Sequence, residues 1–427
     1  MQFKSRVMQA FFICVFFVGG GTGIAAADDS DLERRVRTLE ERMKPQDDDF
    51  RVYFKNGLRF DSHDKNFKYQ IGGRIQTDFA FYDADNTFKA NFNEPGNGAE
   101  FRRARFFVSG LLYNRVQFKA EYDFAGQTSF NDVYLGLIRL PLVGNLNLGH
   151  FKEPFSLEEL TSSKYLTFME RSVANAFSPG RNIGVAIYDE GFDSRITWAA
   201  GVFRPTGTKP PLIQSDDGYN LTFRVTGVPL YEEKGAQLVH LGFGYSFSAP
   251  SGPTFQFSSK PESNLTPTAY VDTGTFSAEG ANRFSFEAAV VFHAFSIQSE
   301  YFLVMVDRPS GLSSANFKGG YIEASYFLTG EHRNYKKGEF GRVTPNKNFF
   351  EAGGWGAWQI AARVSTIDLN DGAITGGQEN NVTVGLNWHL NALTRFMVNY
   401  GHADVNGAGG VNFGGLDFYQ LRFQVEF

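Results

Sequence analysis

Twelve basic side chains fall at alternate positions of segments that read as strands, a placement suited to drawing anions out of water. They are Lys68, Arg74, Arg103, Arg105, Arg115, Lys119, Arg195, Arg224, Arg283, Arg363, Arg395 and Arg422. Eight acids share that phase: Asp78, Glu121, Asp123, Asp132, Glu287, Glu300, Glu323 and Glu426. Twelve against eight is a positive bias in a chain whose formal net charge is −5. Arg and Lys rings favour anions by compensating for lost hydration, whereas a wall of cancelling ion pairs would select nothing. Covalent chemistry is poorly supplied. The seven His, at 63, 150, 240, 293, 332, 389 and 402, lie in scattered segments, and neither Gly-x-Ser-x-Gly nor His-Glu-x-x-His occurs. A membrane-embedded protease or phospholipase, which needs a nucleophile, base and acid within reach of one another, is therefore not indicated. His240, His293 and His389 are expected to line water.

The elements that must position these charges follow a period of two. In Phe67 to Phe81 one face reads Phe67, Tyr69, Ile71, Gly73, Ile75, Thr77, Phe79 and Phe81, and the other carries Lys68, Gln70, Arg74, Gln76 and Asp78. Val116 to Phe124 and Val382 to Leu390 repeat the pattern. Alternation of this kind over about ten residues is that of a strand with lipid on one side and water on the other. Sixteen such strands are expected near 67–81, 100–112, 114–125, 130–140, 145–151, 183–189, 193–203, 219–228, 237–248, 282–293, 295–306, 316–328, 354–367, 379–390, 394–404 and 415–427. Short periplasmic turns then alternate with longer external loops at 82–99, 152–182, 203–218 and 249–281. The connection 329–353 is long on the side where turns are short. Residues 267–276 resemble a further strand, but an odd count assigns them to a loop.

Composition fits the same architecture. Aromatics make up 16% of the 427 residues and 46 are Gly, yet mean hydropathy is −0.28 and no apolar run long enough for a membrane helix follows residue 24. Backbone polar groups in hydrocarbon must all be paired, which only helices and closed sheets achieve. Sixteen strands enclose water, whereas about eight are filled by side chains. The expectation is an all-β, 16-stranded antiparallel transmembrane β-barrel at 50–427, with a short N-terminal coiled-coil helix. Residues 1–27 read as an export signal: Lys4 and Arg6, an apolar Phe11 to Val18, and Ala25-Ala26-Ala27. Cys14, the only cysteine, lies within it, so no disulfide or thiolate metal site is expected. Without that signal the chain has 39 basic and 46 acidic side chains, a net of −7, which gives no support to nucleic-acid binding. Residues 28–49 form a short coiled-coil segment and linker. Leu32, Val36, Leu39 and Met43 are spaced as a heptad seam, though two heptads are marginal alone and a frayed helix or tail fits the same residues. At the C-terminus Tyr419, Leu421, Phe423, Val425 and Phe427 alternate with polar residues, resembling the terminal strand that the outer-membrane barrel-assembly machinery recognises.

Several segments resemble the phosphate-selective porin O and P family. They are Ile71-Gly72-Gly73-Arg74-Ile75-Gln76, Phe101-Arg102-Arg103-Ala104-Arg105, Phe118-Lys119-Ala120-Glu121-Tyr122-Asp123-Phe124, and Gly149 to Ser163, continuing through Phe168-Met169-Glu170-Arg171 to Pro179-Gly180-Arg181-Asn182-Ile183-Gly184. The resemblance runs from about residue 67 to the end. It implies a homotrimer of outer-membrane barrels, set in lipid and passing small anionic or hydrophilic solutes, in which the third external loop folds inward. That loop, 152–182, would pack Phe155, Tyr165, Phe168 and Phe177 on the wall and leave Lys152, Lys164, Arg171 and Arg181 facing water. By the same resemblance Arg74, Arg102, Arg103 and Asp132 match the central anion zone, joined by Arg105 and Lys119 in lumen phase. Strand phase puts Arg102 outside unless a bulge turns it inward. Two departures separate this chain from the phosphate-selective members. Their fifth-loop arginine ladder is missing, since 249–281 holds only Lys260 as a cation, and Glu159 stands where they place a lysine. A general anion-leaning pore fits as well as a phosphate-selective one. A sugar-specific pore would need aromatics down the lumen, and most Tyr and Trp occupy the lipid phase.

Overall fold

The computed structural model describes residues 33–38, 50–126, 129–206, 218–250 and 252–427. The chain divides into two units, Met1–Asp49 and Phe50–Phe427. In the first unit, residues 33–38 are helical and Val36 is exposed; Leu32, Leu39 and Met43 of the expected seam lie outside the described residues, as do the expected signal and linker.

In the second unit sixteen strands close on themselves. They are β1 (Phe67–Ala84), β2 (Gly98–Leu112), β3 (Val116–Asp123), β4 (Ser129–Leu140), β5 (Gly144–Lys152), β6 (Arg181–Gly191), β7 (Ile196–Arg204) and β8 (Tyr219–Glu232). The ring continues with β9 (Gln237–Ala249), β10 (Gly280–Phe292), β11 (Phe295–Asp307), β12 (Ala315–Phe327), β13 (Ala357–Asp371), β14 (Ile374–Asn391), β15 (Thr394–Asn406) and β16 (Asn412–Glu426). Each pairs antiparallel with the next, and β16 pairs with β1 from Leu416↔Ala84 to Glu426↔Arg74. A hairpin, Phe50–Phe54 with Leu58–Ser62, adds its second strand to β1 at Leu58↔Ile71 to Asp61↔Lys68, a feature the sequence reading did not anticipate. Residues 271–272 and 276–277 form small two-stranded sheets with 258–259 and 254–255, outside the barrel sheet. The β13–β14 hairpin is longer than expected. It turns at Gly372 and Ala373, so that most of 368–378 is strand.

The wall is inside out relative to a water-soluble protein. Asn381 and Gln424 on the inner face are 1% exposed, while Val382 and Phe423 beside them on the outer face are 51% and 38% exposed. Period-two alternation thus places polar side chains inward and apolar ones outward, the arrangement a bilayer requires. β3 to β7 form a low stretch of wall, 8 to 12 residues per strand, against 13 to 18 elsewhere.

Among the described residues, three connections occupy the lumen. From the end bearing the long loops, the third loop (153–180) enters with a helical turn, Leu157–Leu160. Glu300 of β11 accepts the backbone N–H of Leu157 at 2.9 Å and of Glu158 at 2.7 Å. Arg395 donates to Leu166 O, Asn387 to Thr167 O and Arg363 to Glu170 O. Phe155, Phe168 and Phe177 are buried, and Phe177 meets Phe257 of the fifth loop (250–279) edge-on. The fifth loop sends Glu262 to Arg363, Ser365 and Thr383. From the end bearing the short turns, the connection 328–356 also enters, with a small hairpin, Tyr335–Lys336 and Glu339–Phe340. It is not a simple long turn.

Candidate functional site

The third loop leans on β8 to β16 and leaves open a cavity of about 480 Å³ against β1 to β5. At its surface are Arg74, Arg103, Arg105, Lys119, Lys152, Lys164, Arg171 and Arg181, against three acids, Glu121, Asp132 and Glu339. Nine of the ten expected site residues therefore share one cavity. The tenth, Arg102, is turned by a bulge. Gln76 pairs with Arg103 and Thr77 with Phe101, so that Arg102 is the extra residue. Its guanidinium reaches Glu170 of the third loop with both Nε and Nη2, at 2.8 and 2.9 Å, a bidentate clamp that holds the loop.

The acids bridge the cations. Glu121 lies 3.3 Å from Arg74, 3.1 Å from Arg105 and 3.2 Å from Lys119. Asp132 lies 2.5 Å from Lys119 and 2.8 Å from Arg181. Glu159, behind the cavity surface, lies 3.4 Å from Lys152 and 3.2 Å from Arg171. Burial would raise its carboxyl, but Arg171 and Lys152 outweigh that and hold it down at about 2. Glu170, buried among Arg102, Arg103 and Arg422, is likewise held well below the ordinary carboxylate range. Several cations share each acid, so guanidinium and ammonium groups keep donors to spare. Among the described residues the Nε of Arg74 and of Arg103 has no hydrogen-bond partner.

Other cations expected to face water are tied to partners, although Arg224 also borders a second cavity. Arg224 is paired bidentately with Glu287, Arg363 with Glu158 and Glu262, and Arg422 with Asp78 and Glu170. Arg283 lies over the rings of Phe255 and Phe257. The partners include acids from inward-folded loops, which strand phase alone does not reveal. His240 is fully buried between Tyr335 and Glu287 and His389 is buried as well, so neither lines water; His293 is exposed at a turn. Glu339 was not anticipated in the cavity. The only signal for it is the excess length of its connection at the turn end.

A model of the phosphate-selective porin O and P family matches residues 69–427. The chain belongs to that family. An uncharacterized protein of Caulobacter vibrioides is 30% identical to this porin over 393 residues, 88% of this chain and 76% of the relative. Porin O of Pseudomonas aeruginosa is 25% identical over 394 residues, covering 82% and 86%. Among solved structures, the trimer form of OmpT, an outer-membrane protein of Vibrio cholerae, superposes with a TM-score of 0.54 at 12% identity, over 84% of this chain and 99% of that one. The outer-membrane channel DcaP of Acinetobacter baumannii gives 0.50 at 11% identity, over 86% and 99%. At such identities the likeness is one of fold. Family and fold together make this porin an outer-membrane channel.

Proposed function

We propose that this porin passes small hydrophilic solutes by passive diffusion, favours anions, and discriminates little between phosphate and chloride. One observation carries the reading: eight cations against three acids at the surface of the open cavity, on the side the inward loop leaves clear. Their guanidinium forks suit phosphate oxygens, yet nearly all are already engaged by shared acids; Arg74 and Arg103 are buried and the other six are half-buried at the edge of the open cavity, where water still screens them. Each attraction is then on the order of 1 kcal/mol at contact distance, enough to bias permeation and too little for a tight site. The fifth loop adds no arginine ladder; Lys260, its one cation, donates instead to Thr266 O. The test is chloride current through purified protein in planar bilayers while phosphate is titrated in. Micromolar phosphate should leave the current unchanged, and block at that level would establish a phosphate-selective site.

We also read the functional unit as a homotrimer, from the low wall β3 to β7 and the heptad-spaced residues near the N-terminus. The C-terminal Phe427 is read as the end of the assembly signal; its N–H and C=O are both bonded to Gly73 of β1.

A further inference from the structure

The large cavity reaches toward the turn end along Gln70 and Ser109. A second cavity of about 260 Å³ lies beyond it, lined among others by Tyr188, Asp189 and Glu190 of β6. The two have four residues in common: Phe151, Lys152, Leu160 and Glu339. A solute crossing from one to the other passes these shared residues, of which Lys152 on the wall and Glu339 on the turn-end hairpin are the charged ones. We propose that Glu339 is a specificity-determining residue, a fixed negative charge at this neck that retards anions leaving the basic cavity. The proposal rests on the reading of the cavity as an anion path.

The hairpin that carries Glu339 is braced from several sides. Arg224 donates to Gly338 O at 2.9 Å, Lys337 meets Glu190 at 2.6 Å, and Tyr335 meets His240 at 2.7 Å. Phe340 N donates to Thr161 of the third loop. Gly338 has φ of +80°, and a Cβ there would lie 3.1 Å from Arg224 and from Thr197, so the turn sits tight against the wall. Such a support fixes the backbone from which the carboxylate projects.

Charges face Glu339 from each neighbouring element: Lys152 from β5, Arg224 from β8, Lys119 from β3 and Asp132 from β4. Arg171 of the third loop lines the large cavity with it, and Asp189, Glu190 and Lys337 line the second. Burial raises its carboxyl above the ordinary range while Lys152 and Arg224 pull it back. The negative charge is therefore fullest in alkaline solution and fades on acidification.

Glu339→Gln keeps the shape and removes the charge. Single-channel chloride conductance in dilute KCl at pH 9 should be about threefold to fivefold higher in the variant than in the wild type, the effect of one charge near contact distance. At pH 5 the difference should be smaller. Glu339→Asp, which retains the charge, should stay close to wild type. Equal conductance of Glu339→Gln and wild type at both pH values overturns the role of Glu339, provided the wild type prefers anions. A wild type that prefers cations overturns instead the reading on which the proposal rests.

Discussion

Arg102 and Arg103 are adjacent in sequence, and both reach into the lumen because a bulge inserts one residue opposite β1. Their roles nevertheless differ. Arg102 is committed to Glu170 as a clamp on the loop, whereas Arg103 borders the open cavity, bonded to Gln76 and 3.9 Å from Glu170. The period-two pattern assigned Arg103 correctly and could not assign Arg102, since a bulge leaves no mark in alternation. Nor could it separate Arg74, which borders the cavity, from Arg224 or Arg363, whose acid partners belong to distant segments. Arg74 and Arg103 are the pair to remove. Glu121 would keep Arg105 and Lys119, and Glu170 would keep Arg102 and Arg422, so no acid is left bare. Arg74→Ala with Arg103→Ala should lower the chloride-to-potassium permeability ratio by about tenfold to thirtyfold, from two contacts of on the order of 1 kcal/mol each. Reversal potentials in a KCl gradient measure this, and an unchanged ratio would show that these arginines lie off the ion path.

At the level of elements, the strands were legible and the lumen filling was only partly so. All sixteen strands lie where alternation placed them, because one face meets lipid and the other water along nearly their whole length. The inward third loop was implied by resemblance alone. The connection 328–356 gave no sign beyond its length, since what draws it inward is long-range: Arg333 to Glu323, Arg342 to Glu426, and Tyr335 to His240. The third loop depends on one carboxylate in particular. Glu300 accepts two backbone N–H groups at the start of the helical turn, and such hydrogen bonds contribute about 0.5–1.5 kcal/mol each. Glu300→Ala should therefore loosen the loop without opening the wall, since strand pairing does not involve the side chain. Single-channel records should show larger and noisier conductance in the variant. A record indistinguishable from wild type would mean that the other anchors, such as Arg395 to Leu166, suffice.

For the molecule as a whole, the low wall matters most. Strands of 8 to 12 residues in β3 to β7 are about the length that just spans a bilayer when tilted. Their outer face offers Leu135, Leu137, Leu148, Val185 and Val202, all exposed, with small Ala200 and Gly201 between. Such a face lets neighbouring barrels approach without clash from rim loops. Light scattering of detergent-solubilised protein should give a trimer. Deletion of residues 30–44 should weaken but not abolish it, because most of the contact area would lie between walls. A monomer at high concentration would contradict this assembly.

The proposed anion preference rests on the cations left at the open cavity once loops have neutralised the others. The most direct measurement is the zero-current potential of the wild-type channel across a planar bilayer with a KCl gradient. Excess positive charge along the open cavity predicts the sign set by chloride permeating faster than potassium. The opposite sign, potassium ahead of chloride, would contradict the account.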